Sequence, residues 1–219
     1  MKKLWVMSIV AIVLLLPLST QAQTALGNGI TGIKKIVLTN DAGQNLIEFI
    51  STAPLEDIHG TATGISGTIQ LNADHLEKTT GHIRVEVRSM ETGIKKRNRH
   101  LYSDEWLDAE KYPTIDFHLR KLEQIKIVEQ TSQKVVFQGY AVGDFSLHGV
   151  TKEMKIPFKM TYLKESPETR KRTSGDLVLI EGEFDVSLKD FNIKGRRGII
   201  GKRVGESIHI KARFFGATR

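Results

Sequence analysis

Apolar and polar side chains alternate with a period of two through most of this chain. In residues 81–90, Ile83, Val85 and Val87 share one face, while the residues between them are polar or charged. A β-strand directs successive side chains to opposite faces, so the pattern predicts strands with one buried and one solvated face. The same alternation recurs in residues 115–119, 135–137, 156–162, 184–188 and 208–214. Antiparallel sheet is predicted, because such sheets commonly bury one face only.

The number and spacing of these segments limit the architecture. Strands are also predicted at residues 34–39 and 45–51 around a turn-rich tetrapeptide, and at residues 61–71, where nearby glycines indicate a sharp bend or a close crossing. Eight or nine strands and one short helix within residues 94–106 fit a closed meander or a sandwich. A barrel leaves no exposed edges, and eight strands enclose room for side chains or one small ligand.

The first residues have the pattern of a secretory signal peptide. Lys2 and Lys3 precede an apolar run over residues 4–18, and small residues lead to Ala22. The run is too short to span a bilayer, and its flanks are typical of a cleaved export signal. We expect a signal peptide at residues 1–22 and one domain at residues 23–219, in the periplasm or outside the cell. An uncleaved membrane anchor is the alternative.

Composition excludes some chemistry. The chain has no cysteine, so disulfides, thiolate catalysis and lipid attachment through cysteine are excluded. The formal net charge is +7, and positive residues cluster at positions 95–99 and 194–203. Such clusters either attract polyanions and anionic lipid headgroups or form ordinary solvated loops. We expect no nucleic-acid partner, and transient contact with an anionic membrane surface.

No arrangement of residues in the sequence points to catalysis or to a metal. His100 and His148 have no second zinc ligand at short spacing, and no serine lies in a nucleophile elbow. Residues 27–32 match a dinucleotide glycine pattern, but the strand before it and the helix after it are missing. We therefore predict no catalytic residue, no metal and no cofactor. Each of the two imidazoles is expected to fix a turn by hydrogen bonding.

Several separated motifs resemble one family. They are Ser89, Thr92-Gly93, His100-Leu101, the triplet Trp106-Leu107-Asp108, Tyr112-Pro113, and the run Leu147-His148-Gly149-Val150-Thr151-Lys152. In this order and spacing they resemble the YceI-like polyisoprenoid-binding family over about half of the chain after residue 22. Asn98 stands where that family usually has aspartate, and Asn192 stands where it has glycine. Asparagine tolerates positive φ, so it can replace glycine in a turn.

The resemblance implies an all-β, lipocalin-like extended antiparallel β-barrel of about eight strands with one or two short helices. It also implies that the lumen holds an isoprenoid lipid or a quinone tail, and it is compatible with a homodimer. Burying roughly 500 Å² of ligand hydrocarbon would contribute on the order of 12 kcal/mol before the costs of binding. The candidate lumen residues come from the alternating faces, with Trp106 near an opening: Val85, Val87, Trp106, Phe117, Phe137, Phe158, Met160, Tyr162, Phe184, Ile210 and Phe214.

We predict an exported, non-enzymatic protein that holds an isoprenoid-type lipid or quinone tail for carriage, storage or sequestration. An envelope hydrolase and a polyanion-binding module that uses residues 194–203 are the alternatives on the same barrel. Only a cavity distinguishes lumen residues from ordinary core packing, since both are apolar.

Overall fold

The computed structural model describes residues 24–219 and consists mainly of antiparallel β-sheet; the predicted signal peptide lies outside the described residues. The strands are β1 (Ile33–Leu38), β2 (Leu46–Ala53), β3 (Glu56–Ala62), β4 (Ile65–Asn72), β5 (Thr80–Glu86), β6 (Met90–Glu91), β7 (Thr114–Gln130), β8 (Lys134–Leu147), β9 (Val150–Leu163), β10 (Leu177–Ser187) and β11 (Ser207–Thr218). The helices are α1 (Lys95–Leu101) and α2 (Pro167–Arg170), and 3₁₀ turns occupy Leu76–Lys78, Val87–Ser89 and Lys189–Phe191. Within residues 24–219, no helix combines the length and apolar character needed to cross a membrane.

Eight of the strands close into a barrel. Their order is β1-β4-β5-β7-β8-β9-β10-β11, and β11 pairs with β1 to complete the ring. Every pairing between these strands is antiparallel. The predicted all-β, lipocalin-like barrel with one or two short helices is therefore confirmed, and the sandwich is excluded.

Strand β11 changes partner along its length, which gives the barrel two different ends. Its last residues pair with β1, whereas residues 208–213 pair with β2, which continues to β3 and β6. At the change, the Asn45 side chain accepts a hydrogen bond of 2.7 Å from the Phe215 N–H. Buried backbone donors need such a partner where a ladder is interrupted. We call the end closed by β1 the closed end and the end built with β2, β3 and β6 the flared end.

Each end has its own apolar cluster. The closed end packs Ile36, Phe137, Tyr162 and Val178 with no exposed surface. The second cluster lies at the flared end and includes Phe145, Phe191 and other residues from β8, β10 and the connecting turns. The closed end therefore has the dense core expected of a folded domain.

Residues 61–71 do not form the single bent strand predicted from the sequence. The chain leaves β3 at Ala62 and starts β4 at Ile65, and the two strands have different partners. Between them, the Glu86 N–H donates to the Gly64 carbonyl at 2.9 Å, and a Cβ on Gly64 would lie 2.7 Å from the Ser89 Cβ. The predicted close crossing is present, but it separates two strands.

Two sequence motifs form tight turns with left-handed backbone. His148 (φ 51°) and Gly149 (φ 74°) join β8 to β9, and left-handed backbone at both central residues suits the twist of a two-residue hairpin. Asn192 has φ 56° after the third 3₁₀ turn, so the prediction that asparagine replaces glycine there is confirmed.

Candidate functional site

The flared end encloses a cavity of about 560 Å³. Most of its wall consists of apolar side chains on the inward faces of seven strands (β2, β3, β5, β7, β8, β10 and β11) and the short β6. These residues are Ile47, Phe49, Ile58, Ala62, Val85, Met90, Ile115, Phe145, Leu147, Phe184, Val186, Ile208 and Ile210. The rings of Phe145 and Phe184 meet edge to face at 6.1 Å, an arrangement that aromatic quadrupoles favour.

Two connecting segments complete the wall. We call residues 92–107, which contain α1, the helix cover, and residues 188–204, which contain the basic loop, the basic cover. The helix cover contributes Ile94, Leu101, Trp106 and Leu107, and the basic cover contributes Leu188, Ile193, Ile199 and Val204. The short helix predicted within residues 94–106 is present as α1, and Trp106, predicted near an opening, lines the cavity.

A buried polar network holds the helix cover in place. Asn98 accepts hydrogen bonds from the N–H (2.9 Å) and hydroxyl (2.6 Å) of Thr92, and its amide donates to Glu91. Arg97 donates to the Thr92 carbonyl at 2.9 Å and to a Glu56 carboxylate oxygen at 2.8 Å, which ties α1 to the start of β3. Satisfied networks of this kind fix one geometry, because each unpaired buried group would be costly.

The hydroxyl of Tyr102 provides a second anchor. It donates to the Met90 carbonyl on β6. Burial, together with the nearby Glu91 carboxylate, raises the pKa of Tyr102 above its ordinary value. The phenol therefore remains a hydrogen-bond donor at neutral pH.

The polar part of the cavity wall is mainly cationic, although Ser51, Glu56 and Thr92 also line it. Lys96, Arg97, His100, Arg196 and Arg203 line it. Arg97 is paired with Glu56, and Arg196 is paired with Glu105 at 2.9 Å. The side chains of the other three have no hydrogen-bond or ion-pair partner among residues 24–219. An apolar cavity therefore opens toward unpaired positive charge.

The basic cover lies closer to the cavity than an ordinary solvated loop would. A Cβ on Gly195 would lie 2.7 Å from the Trp106 ring, so the two covers meet at this glycine. Ile199 and Arg203 follow on the cavity wall. The sequence did not decide whether the charge cluster at residues 194–203 is a polyanion site or a solvated loop. Two of its cations, Arg196 and Arg203, line this cavity.

The structure brings only some of the predicted lumen residues to the cavity. Val85, Trp106, Phe184 and Ile210 line it. Five others pack in the closed-end cluster: Phe137, Phe158, Met160, Tyr162 and Phe214. Val87 and Phe117 belong to the flared-end cluster but lie off the cavity wall. Alternation identifies the inward face of a strand but not the level along the barrel axis, and the cavity occupies one level.

The two signature histidines have different environments. His148 Nδ1 lies 3.1 Å from the Phe191 carbonyl oxygen, and its ring meets Tyr112 edge to face at 5.1 Å. The prediction that its imidazole fixes a turn is confirmed. For His100 that prediction is wrong, because its imidazole lies on the cavity wall without a hydrogen bond to the described residues.

Comparison with known proteins agrees with this geometry. The family model of the YceI-like domain matches residues 39–214. The chain belongs to the YceI-like family. Similar YceI-like sequences include a UPF0312 protein of Pseudomonas savastanoi, 29% identical over 160 residues (73% of this chain, 76% of the relative), and protein YceI of Escherichia coli O157:H7, 27% identical over 157 residues (70% and 73%).

Solved structures of other proteins share the fold. A polyisoprenoid-binding domain from Saccharophagus degradans has a TM-score of 0.61 at 12% identity, covering 85% of this chain and 99% of that one. BcnA of Burkholderia cenocepacia has a TM-score of 0.60 at 15% identity, covering 78% and 95%. Membership of the YceI-like family indicates a binding protein rather than an enzyme.

Proposed function

We propose that this protein is exported and holds one isoprenoid-type lipid in the cavity at the flared end, for carriage, storage or sequestration. The observation that supports this most strongly is the cavity of about 560 Å³, whose wall is mostly apolar and whose polar part is largely cationic. Small-molecule sites typically have this size and composition, with few polar groups to set orientation. A Saccharophagus domain of the same fold is a polyisoprenoid-binding domain.

The volume sets the length of tail that the cavity can enclose. A methylene-sized group occupies about as much liquid volume as a water molecule, about 30 Å³, so the cavity takes about 18 carbon atoms, or roughly four isoprene units. A longer chain would extend between the helix cover and the basic cover. We therefore expect affinity to rise with chain length up to about four units and then to level off.

The unpaired cations favour an anionic headgroup. Lys96, His100 and Arg203 line the polar part of the cavity and have no partner among the described residues. A phosphate at the end of a polyprenyl chain would accept charge-assisted hydrogen bonds from them. A neutral quinone ring, the second candidate, gains less from these groups. The ligand class proposed here is therefore a polyprenyl phosphate.

The surface around the cavity suits transient contact with an anionic membrane. Leu55 and Ile94 are 69% and 50% exposed, and the Leu55 N–H donates to the Lys202 carbonyl at 3.0 Å, beside the basic cover. Exposed apolar side chains among lysines and arginines are typical of surfaces that rest on anionic lipid. Loading from a membrane would then occur at the flared end.

Binding of matched C20 ligands tests the headgroup. We expect geranylgeranyl phosphate to bind one to one, and the Lys96→Gln/Arg203→Gln variant to bind it about tenfold more weakly, because two partly exposed ion pairs are lost. Geranylgeraniol should bind both proteins equally. The control Lys35→Gln/Lys211→Gln removes two exposed cations of the outer wall. Equal loss in that control would contradict the headgroup site, and no binding of either ligand to the wild type would contradict the lipid function.

A further inference from the structure

A second group of side chains lies outside the cavity, on the outer wall where β5 pairs with β7. His82 is directly opposite His118 in this pairing, and Arg84 is opposite Asp116. The alternate residues Ile83 and Phe117 face inward and pack against the two apolar clusters. The imidazole rings of His82 and His118 stack with centroids 4.0 Å apart and an interplanar angle of 9°.

The third member of the group is a carboxylate. His82 Nε2 lies 2.6 Å from Asp116 Oδ1, and one ligand atom each from His82, Asp116 and His118 lie within 4.8 Å of one another. Two imidazoles and one carboxylate are a common ligand set for zinc and other divalent transition ions. We propose that these three side chains bind one divalent transition ion of the zinc class on the outer wall of the barrel, away from the lipid cavity.

Neighbouring groups prepare the carboxylate for this role. The Thr114 hydroxyl donates to Asp116 Oδ2 at 2.7 Å, which leaves Oδ1 directed at the histidine pair. Such outer contacts orient a metal ligand and contribute to affinity. Asp144 lies opposite His118 on the neighbouring strand β8, where it also contacts Arg120 at 3.7 Å.

The site is open enough to admit an ion and water. The His82 side chain is 33% exposed, and His118 is also exposed. Zinc bonds of about 2.0 to 2.1 Å place tetrahedral ligand atoms about 3.3 Å apart, so the 2.6 Å contact between His82 Nε2 and Asp116 Oδ1 must widen and the His118 nitrogen must turn toward the ion. Rotation of the exposed His118 side chain provides that movement, and solvent supplies the remaining ligand.

Arg84 distinguishes a metal site from a group of side chains that only joins β5 to β7. Its Nε donates to Asp116 Oδ1 at 2.9 Å, so its positive charge competes with a metal for the same oxygen. The Arg84 side chain is half exposed and can turn into solvent. If the group served only to join β5 to β7 through ion pairs, removing Arg84 would create no affinity for metal.

Equilibrium dialysis of the purified protein against zinc chloride, with bound metal measured by mass spectrometry, tests the site. We expect one zinc per chain, a loss of affinity of more than about tenfold in His82→Asn and in His118→Asn, and stronger binding in Arg84→Gln. The control His59→Asn removes an exposed histidine of β3 and should leave binding unchanged.

Cobalt gives a second readout that does not depend on stability. Cobalt bound by two imidazoles and a carboxylate should produce a visible d–d absorption band in the wild type, and this band should be absent in folded His118→Asn. Zinc binding that persists in His118→Asn, or no zinc bound above the level of the double variant His82→Asn/His118→Asn, would overturn the proposal. Neither result bears on the lipid cavity.

Discussion

Individual polar residues decide how the connecting segments attach to the barrel. Asn45 accepts the backbone N–H that is left free where β11 changes partner, and Asn98 joins Thr92 to Glu91 beneath the helix cover. His148 combines a left-handed backbone with a hydrogen-bonded imidazole. In each of these residues, a side-chain polar group pairs with a polar group of another segment.

His148 gives the residue-scale prediction. His148→Gln removes the imidazole contact with the Phe191 carbonyl oxygen, so we expect the free energy of unfolding to fall by about 1 to 2 kcal/mol. Ligand binding should persist, because His148 does not line the cavity. Urea denaturation and C20 ligand titration measure the two effects, with His59→Gln as the control. A fully folded His148→Gln protein without any ligand binding would contradict this role.

At the scale of elements, the β10–β11 pair carries a pH-dependent contact. His209 Nδ1 lies 3.0 Å from Asp185 Oδ1, and its Nε2 lies 2.8 Å from Glu183 Oε1. The Asp185 carboxylate, together with Glu183, raises the pKa of His209 above its ordinary value. The protonated imidazole is therefore favoured in the folded state, and the contact adds stability at low pH.

The contact of His209 should make stability depend on pH. Its stabilisation is fully present below the histidine's unfolded pKa of about 6.5, and it is lost as the pH rises through the higher pKa of the folded state. We expect wild type to exceed His209→Asn in melting temperature at pH 5.5, with the difference shrinking toward pH 8.5. His59→Asn should show no such trend. A difference that grows with pH would contradict the assignment.

Sequence patterns predicted the strands better than they predicted which strands pair or where along the barrel axis a residue lies. Alternation identified most strands, since the period of two is a local property. It merged β3 with β4, because a local pattern does not show that β3 pairs with β2 while β4 pairs with β5. The short helix within residues 94–106 was predicted, whereas His82 and His118 were missed because 36 positions separate them and only strand pairing brings them together.

The candidate site was predicted only in part for the same reason. Phe137 and Phe145 occupy the same face of β8, yet Phe137 is in the closed-end core and Phe145 lines the cavity. No local pattern records where along a barrel the packing is interrupted. Lys96, His100 and Arg203 were missed as cavity residues because charge clusters are usually solvated, and the two covers lie together only in the folded chain.

At the scale of the whole molecule, the closed end of the barrel contains the densely packed core, and the flared end contains the cavity. The closed end buries Ile36, Phe137, Tyr162 and Val178 completely and accounts for much of the packed core. The flared end leaves a cavity, and cavities cost stability unless something fills them. A bound lipid tail would recover these contacts, so the protein should become more resistant to unfolding when it is loaded.

The central claim is that the cavity at the flared end holds an isoprenoid-type lipid. Ile58 and Ile210 line this cavity on β3 and β11, so the double variant Ile58→Trp/Ile210→Trp should fill it. Val128→Trp is the matched control, because Val128 on β7 is 44% exposed outside the cavity. Both variants should remain folded, as judged by circular dichroism and melting temperature.

The most direct measurement is native mass spectrometry of the protein purified from its own host, followed by identification of the released lipid. We predict one isoprenoid lipid per chain in the wild type and in Val128→Trp, and little or none in Ile58→Trp/Ile210→Trp. Wild-type protein without any isoprenoid lipid, or the same amount of lipid in the cavity-filling variant, would contradict the claim.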